Sequence, residues 1–474
     1  MRIFTSLILF FLISSQLAAD TIDLADKQRI TNHFNEYVDN GSLPNISILI
    51  KKDNKEILRH TFGYADIEKR ISVDRKTVYR IYSMTKPVTG VAIMQLIENG
   101  KLRLNDKVSK YIPAFKDTKV INLDFQDYVL KPKREITIRD LLTHTSGLTY
   151  SWAGEGPVNQ IYRKNNIRPY YFGAVDAELN KFPGNTCQFS AAAASAPLLH
   201  NPGEKWSYGI NMDILGCVIE VISGDTFAEY LQKNIFDPLG LKSIGFSVNE
   251  SDKDSFTTLY TSGAFSRDGE IVAPSGLNQV ELIFSKDLRP IDAFDKSPYL
   301  TNSSKLYDGG SGLVSNIDDY SKFAEMLLNG GILNGVRIIS EASVDLMANN
   351  HLSDEILKDG SAFGLEGVGF GLTVGTIMNP GVAGTFSSEG EFFWGGAAST
   401  IFWVDRKNNI TATMMTQFMP SDRYPIREEL KTLLEESGDL IPKQYRKMLS
   451  SVLGMEELVV EDIMIPTSEI IGIN

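Results

Sequence analysis

The segments that read as strands sit at the two ends of the chain, and those that read as helices lie between them. Near the front, Asn45–Lys51 (NISILIK) is rich in β-branched residues and runs into the turn Lys52–Asp53–Asn54, with Glu56–Gly63 as its hairpin partner. Near the back, Phe392–Asp405 and Ile410–Phe418 flank Arg406–Lys407–Asn408–Asn409, a second hairpin signal. In the middle, Thr85–Asn99 carries Val88, Ile93, Met94, Leu96 and Ile97 at helical spacing and stops at Gly100. Asp318–Asn329 stops in the same way at Gly330–Gly331. No linker rich in Pro, Gly or Ser divides these segments, and no internal repeat occurs. The order predicts an α/β (α+β) fold in which both chain ends build one antiparallel sheet, flanked by helices and interrupted by a helical insertion. A length of 474 residues would suggest about three domains at ~150 residues each. The shared sheet instead predicts one large domain over residues 20–440.

The termini read differently. Residues 1–19 begin with Arg2, continue through the apolar run Leu7–Ile13 and end in Ala18–Ala19. This order of charge, apolar run and small residues is that of a secretory signal, and the run is too short to span a bilayer. It predicts a secreted or periplasmic protein whose mature chain has no transmembrane span. Residues 441–474 form an apolar tail. Val459–Pro466 and Glu469–Ile473 resemble the segment that opens the CBS-domain region of CorC/HlyC-type proteins. The tail reads either as a foreign fragment or as a terminal strand pair, and it is too short to bury a core of its own.

Charge removes some classes of partner. Lys plus Arg number 47 and Asp plus Glu 59, a net charge of −12. Phosphate binding needs clustered cations, so nucleic acid is not an expected partner. No H-E-x-x-H or other metal pattern occurs, and two cysteines cannot build a zinc site alone, so neither metal nor cofactor is expected. Cys187 and Cys217 could form one bridge, which their spacing does not decide. A G-x-S-x-G nucleophile elbow is also missing.

The most informative stretch is Tyr82–Ser83–Met84–Thr85–Lys86. Serine is a weak nucleophile until a base takes its proton. On a helix, residues three apart share a face, so Lys86 can sit beside Ser83. A serine at a helix start also has backbone N–H groups near an incoming oxyanion. Alone, such a tetrapeptide is common by chance; its context is not. Gly63-Tyr64-Ala65-Asp66 precedes it, and Glu98–Asp106 with Tyr111-Ile112-Pro113 follows. Then come Ile136–Leu148, Pro202-Gly203 with Trp206, Tyr208, Asp213 and Leu215-Gly216, then Asp237–Leu241, Gly310–Ser315 and Trp394–Thr400. This ordered series resembles the serine β-lactamase-related superfamily over about residues 30–425. It is most similar to the class C β-lactamases and the esterase branch on the same scaffold.

The resemblance implies a β-lactamase/transpeptidase-like fold and a role for each matched residue. Ser83 would be the nucleophile, Lys86 its proton partner, and Tyr208 the second base. The backbone N–H groups of Ser83 and Ala397 would form the oxyanion hole. Trp394-Gly395-Gly396 occupies the place of the β-lactamase Lys-Thr-Gly strand, whose glycines let a substrate backbone approach an edge. Trp394 cannot supply the lysine charge that helps bind a β-lactam carboxylate. Its apolar face suits an ester or a neutral acyl group. Class C enzymes have Tyr-x-Asn, whereas Asn211 falls one residue later here, as a candidate hydrogen-bond donor to substrate. Tyr150 and Trp152 are candidate pocket walls or core aromatics, and residues 150–200 and 250–305 are expected to be variable walls. His144 reads as a structural hydrogen bonder, and His33, His60, His200 and His351 have no partner spacing. These readings imply a serine hydrolase working through a Ser83 acyl-enzyme on a small-molecule ester or amide. The leading expectation is a carboxylesterase. The alternatives are a β-lactamase or D-Ala peptide hydrolase, and a non-catalytic envelope binding protein on the same scaffold. Oligomeric state is not readable.

Overall fold

The computed structural model describes residues 22–122, 129–168, 182–262, 265–267, 270–272, 287–292, 297–300, 306–358 and 366–437. The expected signal (1–19) and the tail from residue 441 lie outside the described residues.

One antiparallel sheet of eight strands forms the frame. Its strands, labelled in chain order, are β1 Asn45–Lys52, β2 Lys55–Asp66, β3 Ile71–Ser72, β4 Val368–Phe370, β5 Gly375–Ile377, β6 Phe392–Gly396, β7 Thr400–Asp405 and β8 Ile410–Met415. The spatial order is β4-β5-β6-β7-β8-β1-β2-β3. The two chain ends meet where β1 pairs with β8, from Ser47 opposite Met415 to Lys52 opposite Ile410. The expectation of one sheet built from both ends is therefore met.

Two boundaries differ from the sequence reading. Phe392–Asp405 is two strands, because Ala397–Ser399 turns and brings Gly396 opposite Thr400. Ser399 sits at φ 63° in that turn, and its hydroxyl donates to Phe418 O at 2.8 Å. Phe418–Met419 has left the large sheet and pairs in parallel with Leu259–Thr261.

Helices cover both faces. On one face, α1 (Leu24–Asp39) and the C-terminal α5 (Ile426–Glu436) close a core around Ile30, Phe34, Ile48, Trp403 and Leu430. The other face carries the larger core, contributed by α2 (Thr85–Glu98), α3 (Asn211–Ser223) and α4 (Ile317–Leu328). Asn316 caps α4 by accepting from Asp319 N at 2.8 Å. From Thr85 to Met94 every residue of α2 is buried, so this helix runs through the protein rather than over it. Cys187 and Cys217 are bridged, which joins the helix Thr186–Ala193 to α3 and decides the alternative the spacing left open. Among the described residues, no helix is long and apolar enough to cross a membrane.

Candidate active site

The strand Val78–Arg80 pairs with Val314–Asn316 and runs into the single turn Tyr82–Met84 ahead of α2. Ile81 N donates to Leu313 O at 3.1 Å and Met84 N to Ile81 O at 3.0 Å, so the turn is held at both ends. Tyr82 adopts φ 41°, a region that a bulky side chain rarely enters, and its ring is fully buried. The turn presents Ser83 to a cavity and sets Lys86 behind it on the first turn of α2. Lys86 is wholly buried; its Nζ donates to Ser83 Oγ at 3.1 Å and to Gly310 O at 2.7 Å. The Tyr208 hydroxyl donates to Ser83 Oγ at 2.7 Å. The ammonium also lies 4.6 Å from the centre of the Tyr208 ring and 5.6 Å from that of Tyr150, where both faces favour a cation. Ser83, Lys86 and Tyr208 thus converge on one oxygen.

The facing wall is β6. A Cβ on Gly396 would lie 2.3 Å from Ile81 O, so only glycine lets the end of β6 rest on the nucleophile turn. β6 is an interior strand by order, yet its pairing with β5 ends at Phe393. Trp394, Gly395 and Gly396 outrun that partner, which gives them the edge character expected from the sequence. Ala397 follows in the turn, and its backbone N–H has no hydrogen-bond partner among the described residues. Ser83 and Ala397 both line the cavity of about 560 Å³.

Seven aromatic residues line that cavity: Tyr82, Tyr150, Trp152, Trp206, Tyr208, Phe393 and Trp394. Tyr150 and Trp152 stack at 5.0 Å and 12°, and Trp206 and Tyr208 at 5.8 Å and 15°. Trp152 keeps 40% of its surface exposed, whereas Tyr150 is buried in the larger core and meets the cavity from there. Among the described residues between 250 and 305, none lines this cavity. Leu259 and Ile291 instead pack with Tyr82 and Ala398 beneath the site.

Asn211 departs from its expected role. It is completely buried at the start of α3 and does not line the cavity. Its amide donates to His144 Nδ1 at 2.7 Å and accepts from Ser146 Oγ at 2.5 Å. The one-residue offset from Tyr-x-Asn explains this, because on a helical turn a shift of one position rotates the side chain away from Ser83. Burial, and then the nearby Lys86 charge, hold the His144 imidazole neutral, and its ring tilts against Tyr208 at 4.7 Å. His144 is therefore a support for Tyr208, as the structural reading expected.

Two features were missed in the sequence. Arg427, at the start of α5, lines the cavity beside Gly395 and donates through Nη2 to Gly396 O at 2.8 Å and Thr400 O at 3.0 Å. The signal available for it was the i, i+4, i+8 series Ile426, Leu430, Leu434, which marks an amphipathic helix returning to the sheet. The second is the task of the loop Asp308–Gly312: Gly310–Ser315 belongs to the motif series, and the Gly310 carbonyl receives the Lys86 ammonium. Among the described residues, no cluster of His, Cys, Asp or Glu could hold a metal ion.

Comparison with known proteins agrees with this geometry. The β-lactamase family model matches residues 30–435. Protein Rv1367c of Mycobacterium tuberculosis is 30% identical over 395 residues, covering 81% of this chain and 88% of its own. Esterase EstB of Burkholderia gladioli is 27% identical over 378 residues, covering 78% and 84%. Among solved structures, EstCE1, a hydrolase with promiscuous acyltransferase activity, superposes with a TM-score of 0.67 at 24% identity, covering 86% of this chain and 97% of its own. Simvastatin synthase (LovD) of Aspergillus terreus gives 0.67 at 21%, covering 87% and 97%. The resemblance of the tail to a CBS-region segment finds no support: the family match ends before it, at residue 435. Over residues 30–435 the chain, in its motif order and its fold, belongs to the β-lactamase family of serine hydrolases.

Proposed function

We propose that the protein is a carboxylesterase that works through an acyl-enzyme on Ser83. One observation carries this reading: Ser83 Oγ receives hydrogen bonds from both Lys86 Nζ and Tyr208 OH at the floor of an aromatic cavity. For attack the Tyr208–Lys86 pair must hold one proton fewer than in this donor arrangement, as phenolate with ammonium or phenol with amine; it then takes the Ser83 proton as Oγ attacks the ester carbonyl. The carbonyl oxygen gains negative charge between the backbone N–H groups of Ser83 and Ala397. The proton returns to the departing alcohol as the ester C–O bond breaks. Water, deprotonated by the same pair, then releases the acid and restores Ser83. The esterase name of the Burkholderia relative and the hydrolase description of EstCE1 support the choice of ester. Trp394 favours a neutral acyl group or alcohol, for it offers a ring where the lactamase strand offers a charge.

A second reading, hydrolysis of a β-lactam or a D-Ala peptide, is favoured by one feature, the Arg427 guanidinium in the cavity wall. Turnover of p-nitrophenyl butyrate against nitrocefin separates the two. Hydrolysis of nitrocefin alone would overturn the ester assignment. A fluorophosphonate probe addresses the non-catalytic alternative: labelling lost in Ser83→Ala is expected, and an unlabelled wild type would refute catalysis.

We also propose a secreted or periplasmic location. The Cys187–Cys217 bridge supports it, because such bonds persist mainly in oxidising compartments. Recovery of the full-length protein from the reducing cytosol of its own cell would contradict this.

A further inference from the structure

Two buried carboxyl groups meet behind the nucleophile, at the loop that holds Lys86. Asp213, on the first turn of α3, and Asp308 both accept from the same backbone N–H: Gly310 N lies 3.2 Å from Asp213 Oδ1 and 2.7 Å from Asp308 Oδ1. The other end of this glycine is the carbonyl that takes the Lys86 ammonium at 2.7 Å. The surroundings of the two acids differ. Asp308 accepts two further hydrogen bonds, from Ser311 N at 2.7 Å and Ser311 Oγ at 2.6 Å, which is the setting of an ionised carboxylate. Asp213 is completely buried, shares its single donor with Asp308, and its Oδ2 accepts from no described donor. Two anions converging on one N–H in the interior would repel, and a proton on one of them removes the repulsion. We propose that Asp213 is a positioning residue: it stands as a neutral carboxylic acid beside an ionised Asp308, and the pair fixes Gly310 so that its carbonyl holds Lys86 against Ser83.

The balance of charge agrees. Burial first, and then the neighbouring Asp308 charge and a hydrogen bond with it, raise the Asp213 carboxyl well above the ordinary range against the pull of Lys86. One negative charge on the pair then faces one positive charge on Lys86 across the Gly310 peptide. The Tyr150 hydroxyl lies at the same glycine, where a Cβ would meet it at 3.0 Å and Asp213 Oδ2 at 3.1 Å. Among the described residues, Lys86, Asp308 and Tyr150 are the ionisable groups that face Asp213. The ammonium is held by Ser83 Oγ and this main-chain carbonyl, so what fixes the carbonyl also fixes Lys86.

The inference rests on Ser83 as nucleophile but not on the substrate. Asp213→Asn keeps the size and replaces the acid O–H by an amide N–H, so kcat should stay within about 5-fold of wild type. Asp213→Ala should lower kcat and the rate of fluorophosphonate labelling by about 10²-fold, the effect of a catalytic group displaced by ~1 Å, with KM nearly unchanged. An Asp213→Asn enzyme that is folded but as slow as Asp213→Ala would mean that an ionised Asp213 is required. An Asp213→Ala enzyme with wild-type kcat would remove the positioning role. One measurement needs no activity: the infrared difference spectrum of wild type minus Asp213→Asn at pH 7 should show the C=O band of a protonated carboxyl. A carboxylate band in its place overturns the proposal, whereas failure of wild type to label overturns the Ser83 reading and leaves the infrared result standing.

Discussion

Replacing Gly396 by alanine tests how closely the β6 edge must approach the nucleophile turn. The added Cβ would lie 2.3 Å from Ile81 O and 2.3 Å from Thr400 Oγ1. A carbon in contact with a carbonyl oxygen needs about 3.3 Å, so one partner must retreat by roughly 1 Å. The Thr400 side chain can rotate, but Ile81 O accepts from Met84 N and belongs to the turn that carries Ser83. The strain therefore falls between Ser83 and Ala397, the two proposed oxyanion donors. Overpacking of this size costs about 1–3 kcal/mol of stability. A displacement of ~1 Å at the reacting centre costs about 10²-fold in rate, or ~2.7 kcal/mol of barrier. Gly395→Ala is the control, because its Cβ would meet the end of a side chain instead, the Arg427 guanidinium at 2.9 Å. The assay is kcat and KM for p-nitrophenyl butyrate with thermal unfolding alongside. The expected result is a fall in kcat of about 10²-fold for Gly396→Ala with little change in KM, and a smaller fall for Gly395→Ala. A Gly396→Ala enzyme within 3-fold of wild-type kcat would refute the reasoning that the two donors are held in register by this contact.

Tyr208→Phe removes the donor 2.7 Å from Ser83 Oγ and should lower kcat by about 10²–10⁴-fold with the fold intact; a fall under 5-fold would leave Lys86 as the sole base. Cys187→Ser opens a loop closed over 30 residues and should cost about 3–4 kcal/mol in denaturant unfolding by the chain-entropy argument; a loss below 1 kcal/mol would contradict it. Burial raises the carboxyls of Glu391 to about 7 and Glu435 to about 8, against ordinary values of 4.5. The folded chain thus binds these protons more tightly than the unfolded one, and the stability they contribute is lost as pH rises from about 4.5 through 8. Glu435→Gln should flatten that fall, by up to ~1.4 kcal/mol per pH unit, and raise Tm at pH 8.5 but not at pH 5. A wild-type Tm that does not change between pH 5 and 8 would count against it.

What the sequence made legible follows from which interactions are local. The sheet was readable because β1, β2 and β8 announce themselves by β-branched runs and turns, and their pairing then needs no further information than that two hairpins share one core. Ser83 and Lys86 were readable because three residues on a helix start are neighbours by geometry alone. The role of Asn211 was not, because a single-residue offset at the start of α3 changes the face it occupies, and only the packed position of His144 shows where that face points. Asp213 was noted as part of a motif yet given no task, since its partner Asp308 is 95 positions away and the two meet only through Gly310. The split of Phe392–Asp405 was open to reading, because Gly395-Gly396 and Ser399-Thr400 interrupt the apolar run where Ala397–Ser399 turns, but the glycines fit a substrate edge equally well.

Arg427 changes what the missing lysine means for the site. Trp394 brings no charge, but the wall is not without a cation: a guanidinium from α5 stands beside Gly395, at the level of the strand where lactamases carry their lysine. Its availability differs. Nη2 already serves two main-chain carbonyls, Gly396 O and Thr400 O, and so braces the two sides of the β6–β7 turn that begins at Ala397. Those bonds use Nη2 only, so Nη1, which also faces Gly395, could meet a substrate carboxylate without loosening the turn that carries a proposed oxyanion donor. The Nη2 bonds make Arg427 a brace for the site whether or not it also meets a charged substrate. Arg427→Met should therefore lower kcat for a neutral ester by about 10-fold or more through the turn, since a hydrogen bond to a charged group is worth ~1.5–3 kcal/mol. If the variant instead keeps full ester activity and loses only turnover of carboxylate-bearing substrates, the guanidinium is a reader of charge, and the preference for a neutral ester drawn from Trp394 falls with it.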